Sequence, residues 1–201
     1  MLPRPAERFA VVLIGHGAPA TDCPPELVGE LMSLEWRQPH AVEEPQRLEG
    51  QAPLDQHGPP TLTSDPTGRA AELDEKIRGW PRHVGNDPYK AGLERLGEAL
   101  RPLLPTDLFA IGYNEFCSPS VPETLEDIIR HGANHILVLP TMLTPGGVHS
   151  EKDIPRELDV VRRAHPDVRI DYLWPFDLPQ VAALLAAHVT RAATRVHERS
   201  R

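Results

Sequence analysis

Four short apolar runs, each followed by a segment of helical period, constrain this 201-residue chain more than any other feature. Phe9-Ala-Val-Val-Leu-Ile14 is continuously apolar and ends at Gly15, the pattern of a strand covered on both faces. Leu108–Gly112 and Ile136–Leu139 read the same way, whereas Val168–Leu173 alternates apolar with charged residues, as a sheet-edge strand with one wetter face does. The helices announce themselves through their ends. Asp87-Pro88 supplies an N-cap and a proline at the first helical position, with Tyr89, Leu93, Leu96 and Leu100 as an apolar stripe. Ser120-Val-Pro-Glu123 fits a capping box, Val121, Leu125, Ile128 and Ile129 form an inward face, and Gly132 stands at the C-cap. Asp153-Ile-Pro opens a third helix with Ile154, Leu158 and Val161 inward, and Pro179 opens a fourth with Val181, Leu184, Leu185, His188 and Val189 on one side. Strands alternating with helices in this way predict a doubly wound α/β domain with a mostly parallel sheet.

Residues 22–86, about 65 in number, interrupt the alternation and far exceed what a crossover requires. Leu27, Leu31 and Leu34 predict one helix there and Ala70, Leu73 and Ile77 another, while Arg37 to Gly68 carries six prolines and few large apolar residues, the composition of an irregular loop. The chain is therefore expected to be one domain over 1–201 with residues 22–86 as an insertion or lid. Eleven of its 23 prolines lie between Pro19 and Pro88, and six more follow the carboxyl ends of the last three strands, where they stiffen loops.

Charge and apolar content exclude several functions. A net charge of −8 argues against a nucleic-acid surface built on bulk charge. No apolar run approaches the roughly 20 residues of a membrane helix, and the N-terminal Met-Leu-Pro-Arg-Pro-Ala-Glu lacks the apolar core of a secretion signal. Two cysteines, Cys23 and Cys117, are too few for a disulfide scaffold, so a cytoplasmic protein is expected.

Open α/β sheets bind ligands outside the carboxyl ends of their strands. Strand 1 leads into Gly15-His16-Gly17, strand 2 into Tyr113-Asn114-Glu115, and strand 3 into Pro140 through His149. If these strands are neighbours, His16, Glu115 and His149 converge on one edge. Two imidazoles and a carboxylate suit a divalent transition metal and serve equally as acid and base groups. Each also has a plainer reading: His16 as a polar residue in a tight turn, His149 as a solvated loop residue, Glu115 as a helix cap or salt-bridge partner. The remaining histidines, among them His131 and His135, read as surface residues, Cys117 as a small buried hydrophobe, and Trp174 as packing at the rim.

Two other motifs compete. Gly15-His-Gly-Ala-Pro-Ala20 formally fits the dinucleotide fingerprint G-x-G-x-x-A, which keeps a nucleotide-binding oxidoreductase open, but Pro19 removes an amide from the phosphate cradle. A histidine phosphatase would carry Arg-His-Gly, and residue 15 is glycine.

The chain resembles the small class II chelatases, the sirohydrochlorin cobaltochelatase and ferrochelatase family. The resemblance rests on Gly15-His16-Gly17, on Asn114-Glu115-Phe116 with Pro119-Ser120, and on Gly146-Gly-Val-His149 followed by Asp153-Ile154-Pro155. It implies a flavodoxin-like four-stranded parallel sheet in the order 2-1-3-4. It also implies a lyase that inserts a divalent metal, Co2+, Fe2+ or Ni2+, into sirohydrochlorin or a related tetrapyrrole in siroheme or cobalamin biosynthesis. His16, His149 and Glu115 are then the catalytic and metal-binding residues. The metal is substrate, no organic cofactor is needed, and nucleic acid and membrane play no part. Because long members carry two such halves in tandem, the single half implies a homodimer. The alternative from another class is a non-enzymatic carrier of metal or tetrapyrrole.

Overall fold

The computed structural model describes residues 7–37 and 66–199. Strands β1 (Phe9–Gly15), β2 (Phe109–Tyr113), β3 (His135–Pro140) and β4 (Arg169–Tyr172) form one parallel sheet in the order β2-β1-β3-β4, as expected. Its helices are α1 (Pro25–Arg37), α2 (Pro66–Arg78), α3 (Pro88–Leu100), α4 (Val121–Arg130), α5 (Ile154–Ala164) and α6 (Leu178–Arg199). β1 is central, and its residues from Ala10 to Ile14 are all at most 5% exposed, which is why that run shows no polar alternation.

The two sides of β1 feed separate cores. Ala10, Val12 and Ile14 pack with Val121, Leu125 and Ile128 of α4 and Ile154, Leu158 and Val161 of α5. Val11 and Leu13 pack with Leu93 of α3, Phe109, Tyr113 and Cys117. The capping box at α4 is complete: Glu123 N–H donates to Ser120 Oγ at 3.3 Å, and Ser120 N–H donates to Glu123 Oε2 at 2.7 Å. Gly132 takes φ +92° after the helix.

Both helices expected between residues 22 and 86 form, and they pack on each other. Leu31, Leu73 and Ile77 are at most 1% exposed in a third core with Ala20, Cys23 and Ala70, joined by Phe116 from the loop after β2. The expected irregular stretch falls largely at 38–65, outside the described residues, but Pro66–Gly68 belong to α2 instead.

Two other expectations, on α3 and at His135, need correction. On α3 the buried residues are Leu93 and Gly97, and Leu96 is 51% exposed. Gly97 is the cause: a Cβ there would lie 2.5 Å from Ile111 Cδ1, so the absent side chain lets the helix approach β2 and turns Leu96 aside. On α6, whose apolar residues share one side as expected, Leu184, Leu185 and Val189 are all more than half exposed among the described residues. Helical period shows that a helix has an apolar face, not what covers it. His135, expected at the surface, has a side chain only 15% exposed, with Nδ1 2.7 Å from Glu7 Oε1 and Nε2 2.7 Å from Asp171 Oδ2. The His135 hydrogen bond holds the Asp171 carboxyl below its usual range.

Candidate functional site

The site is assembled by parallel pairing that continues past the end of the sheet. Gly15 is in register with Tyr113. Beyond it Asn114 N–H donates to Gly15 O at 2.9 Å and Glu115 N–H to His16 O at 2.8 Å. Those bonds set Glu115 beside His16. The chains approach so closely that a Cβ on Gly17, whose φ is +94°, would lie 1.8 Å from the Glu115 carbonyl oxygen. Gly17→Ala should therefore cost on the order of 2–4 kcal/mol in urea unfolding, because left-handed strain and a backbone clash add.

His149 arrives from the other side. After β3, Thr141 N–H donates to Ile14 O at 2.9 Å, and the chain reverses through Gly146, φ +96°, into a π-helical turn over His149–Asp153. Fully buried Ser150 anchors that turn, accepting at its carbonyl from Tyr172 Oη at 2.9 Å. The α-helix opens at Asp153-Ile-Pro as expected, with the π-helical turn leading into it, and the Asp153 side chain makes no cap hydrogen bond. Its carboxylate instead lies 2.8 Å from His149 Nδ1.

His16, Glu115 and His149 thus meet as the residues alone suggested. One donor atom from each lies within 4.8 Å of the others, the one such group among the described residues. His16 Nε2 is 4.0 Å from Glu115 Oε2, His149 Nδ1 is 3.3 Å from Glu115 Oε1, and the imidazoles meet edge to face at 4.7 Å between centroids. Side-chain exposures of 42%, 30% and 30% leave the trio reachable from solvent. His16 is held twice, by its N–H donating to Tyr89 Oη at 2.7 Å and by Nδ1 lying 2.8 Å from Gly17 O. Two nitrogen donors and one hard oxygen donor fit a first-row divalent ion better than Ca2+ or Mg2+.

The loops bearing these residues are tied to the end of α2 and the segment after it through two arginines that sequence reading passed over. Arg78 donates to Asn114 O at 2.8 Å and Cys117 O at 3.0 Å. Arg82, 7% exposed, pairs with Asp87, which is 2% exposed, and donates to Ala18 O at 2.8 Å and to Phe116 O. Tyr89 and Asp153 were also missed as partners of the two histidines, although Asp153, four residues after His149, had a legible spacing. Cys117 is fully buried as expected, its thiol pushed up to about 11 chiefly by burial. Trp174 meets Phe176 edge to face at the rim, 5.7 Å between centroids.

Glu157, one turn beyond Asp153, is the most perturbed acid. Burial pushes its carboxyl to about 7, with Asp153 and Asp74 adding to the rise and Arg78 and Arg156 opposing it, and its Oε2 has no partner among the described residues. The folded protein thus holds this proton more tightly than the unfolded chain, whose carboxyl sits near 4.5. Stability should fall by on the order of 2 kcal/mol as pH rises from about 4.5 through about 7. Glu157→Gln should flatten that slope, raising the urea midpoint at pH 8 and leaving it near the parent's at pH 4.5.

A family model described as CbiX matches residues 85–192, more than half of the chain. The chain belongs to the CbiX family. That match takes in Glu115 and His149 and begins after His16. Over 84 residues the CbiX-family chain is 33% identical to the sirohydrochlorin cobaltochelatase of Methanocaldococcus jannaschii, covering 41% of this chain and 58% of that protein. Over 78 residues it is 31% identical to the sirohydrochlorin ferrochelatase of Bacillus subtilis, covering 39% and 30%. It spans well under two thirds of the length of either relative. Among solved structures, a CbiX protein from Marinobacter aquaeolei VT8 superposes with a TM-score of 0.50 at 16% identity, over 93% of this chain and 98% of that one, which is a likeness of fold. No described helix is long and apolar enough to cross a membrane.

Proposed function

We propose that this protein is a metal chelatase, a lyase that inserts a divalent metal ion into sirohydrochlorin or a related tetrapyrrole. The carrying observation is the convergence of His16, Glu115 and His149 at the carboxyl end of the sheet in a CbiX-family chain. Partial matches to proteins named cobaltochelatase and ferrochelatase support Co2+ or Fe2+ as the ion, and the donor set also admits Ni2+. Insertion exchanges one M2+ for two pyrrole N–H protons. His16 and His149 hold the ion as it sheds water, their freed lone pairs take up the released protons once the ion has passed to the macrocycle, and Glu115 offsets charge at the centre.

The partly exposed trio, reachable from solvent, supports a homodimer in which a second copy closes the other side of the tetrapyrrole. Residues 22–86 are read as an insertion within one chelatase-like domain, with the packed helices α1 and α2 as a cover over the site loops, tied there by Arg78 and Arg82. Exposed Lys152 and Arg156, beside His149, are the cations best placed for the carboxylates of a polyacidic macrocycle. Both thiols, Cys23 and Cys117, are free and buried, in keeping with a reducing cytoplasm.

Incubation with sirohydrochlorin and Co2+ or Fe2+, followed by absorption, tests the reading. Insertion faster than the spontaneous reaction is expected; tight binding with only the spontaneous rate would leave a carrier.

A further inference from the structure

Both imidazoles of the trio have Nδ1 occupied, but by different groups. His16 Nδ1 lies 2.8 Å from a neutral carbonyl, Gly17 O, and His149 Nδ1 lies 2.8 Å from the Asp153 carboxylate. Resting on the reading of the trio as a metal site, we propose that Asp153 is a positioning residue that holds His149 as the Nδ1–H tautomer and so leaves its Nε2 lone pair for the ion.

Three groups crowd His149 Nδ1: Asp153 Oδ2 at 2.8 Å, Asn114 Nδ2 at 3.1 Å and Glu115 Oε1 at 3.3 Å. They make opposite demands. Asn114, as an N–H donor, calls for a lone pair on Nδ1, which would put the hydrogen on Nε2 and spoil that nitrogen as a ligand. The carboxylates call for a hydrogen on Nδ1. A charge-assisted bond is about twice as strong as a neutral one, and Asp153 is also the nearest of the three. Its other oxygen accepts from Arg156 Nη2 at 3.1 Å, which steadies the carboxylate from behind. Asp153 makes no side-chain cap at α5, so its carboxylate is not drawn toward the helix end. The assignment also frees Glu115: with Nδ1–H satisfied by Asp153, Glu115 can turn toward the ion without stranding a donor. Outer carboxylates of this kind typically change metal affinity 10–100-fold when removed.

The test has two readouts. In protein labelled with 15N-histidine and free of metal, NMR should show neutral His149 as the Nδ1–H tautomer. Asp153→Asn and Asp153→Ala should shift it toward Nε2–H, and titration with Co2+ alone should show binding about 10–100-fold weaker with the thermal midpoint near the parent's. A parent His149 carrying its hydrogen on Nε2, or variants that bind Co2+ with parental affinity, would overturn the proposal. A parent that binds no Co2+ would sink the metal-site reading, while the tautomer would still decide the role of Asp153.

Discussion

Replacing Arg82 with methionine should destabilise the protein by about 3–5 kcal/mol, the usual consequence of leaving a buried partner charge alone. Asp87 is 2% exposed, and Arg82 is its buried cation. Beyond the ion pair, the guanidinium donates to carbonyls of Ala18, Ile77 and Phe116, and so joins the loop after β1, the end of α2 and the loop after β2. Each carbonyl would lose a charge-assisted partner in a site too enclosed for water to replace it fully. Asp87 must be treated with care in the control, because its Oδ1 also accepts from Lys90 N–H at 2.8 Å as the N-cap of α3. The double variant Arg82→Met/Asp87→Asn retains a good N-cap side chain and removes the stranded charge. It should therefore be more stable than Arg82→Met alone in urea unfolding, by about 1 kcal/mol or more. Equal stability of the two variants would mean that the carbonyl bonds, not the ion pair, carry the effect.

His149→Ala and His16→Ala should each lower the rate of metal insertion by at least about 100-fold, the scale of losing a placed proton acceptor. Either change should leave stability within about 0.5 kcal/mol of the parent, since both side chains are about a third or more exposed. The contrast with Arg82 is the useful part: one class of substitution removes chemistry from an intact scaffold, and the other loosens the scaffold that presents it. Insertion rates under single-turnover conditions, set beside urea midpoints for the same samples, separate the two. A His16→Ala variant at parental rate would remove His16 from the proposed centre while leaving Glu115 and His149 to be tested.

Why the trio was legible and its supports were not can be seen in particular residues. His16, Glu115 and His149 each follow a strand whose continuous apolar run marks it as interior, so parallel order alone brings their backbones to one edge. The same reasoning found Val121, Leu125 and Ile128, since a capping box and a 3.6-residue period act locally. It placed Leu96 inward wrongly because it did not weigh Gly97, whose meaning depends on Ile111 across the helix–sheet interface. It sent His135 to the surface because Glu7 and Asp171 come from segments 128 and 36 residues away.

The amino-acid order by itself determined the β/α alternation, the capping of α3 and α4, the helices α1 and α2 and the three residues that meet beyond the sheet. These follow from periodicity and local hydrogen bonding, whose range is a few residues. Only the tertiary structure decided what stands behind them: Asp153 and Gly17 O on the two imidazoles, Arg82 buried against Asp87, and the exposure of Leu184, Leu185 and Val189 on α6. Such contacts depend on distances between segments far apart in the chain. A charged residue's pattern along the sequence does not reveal which partner or how much water it will meet.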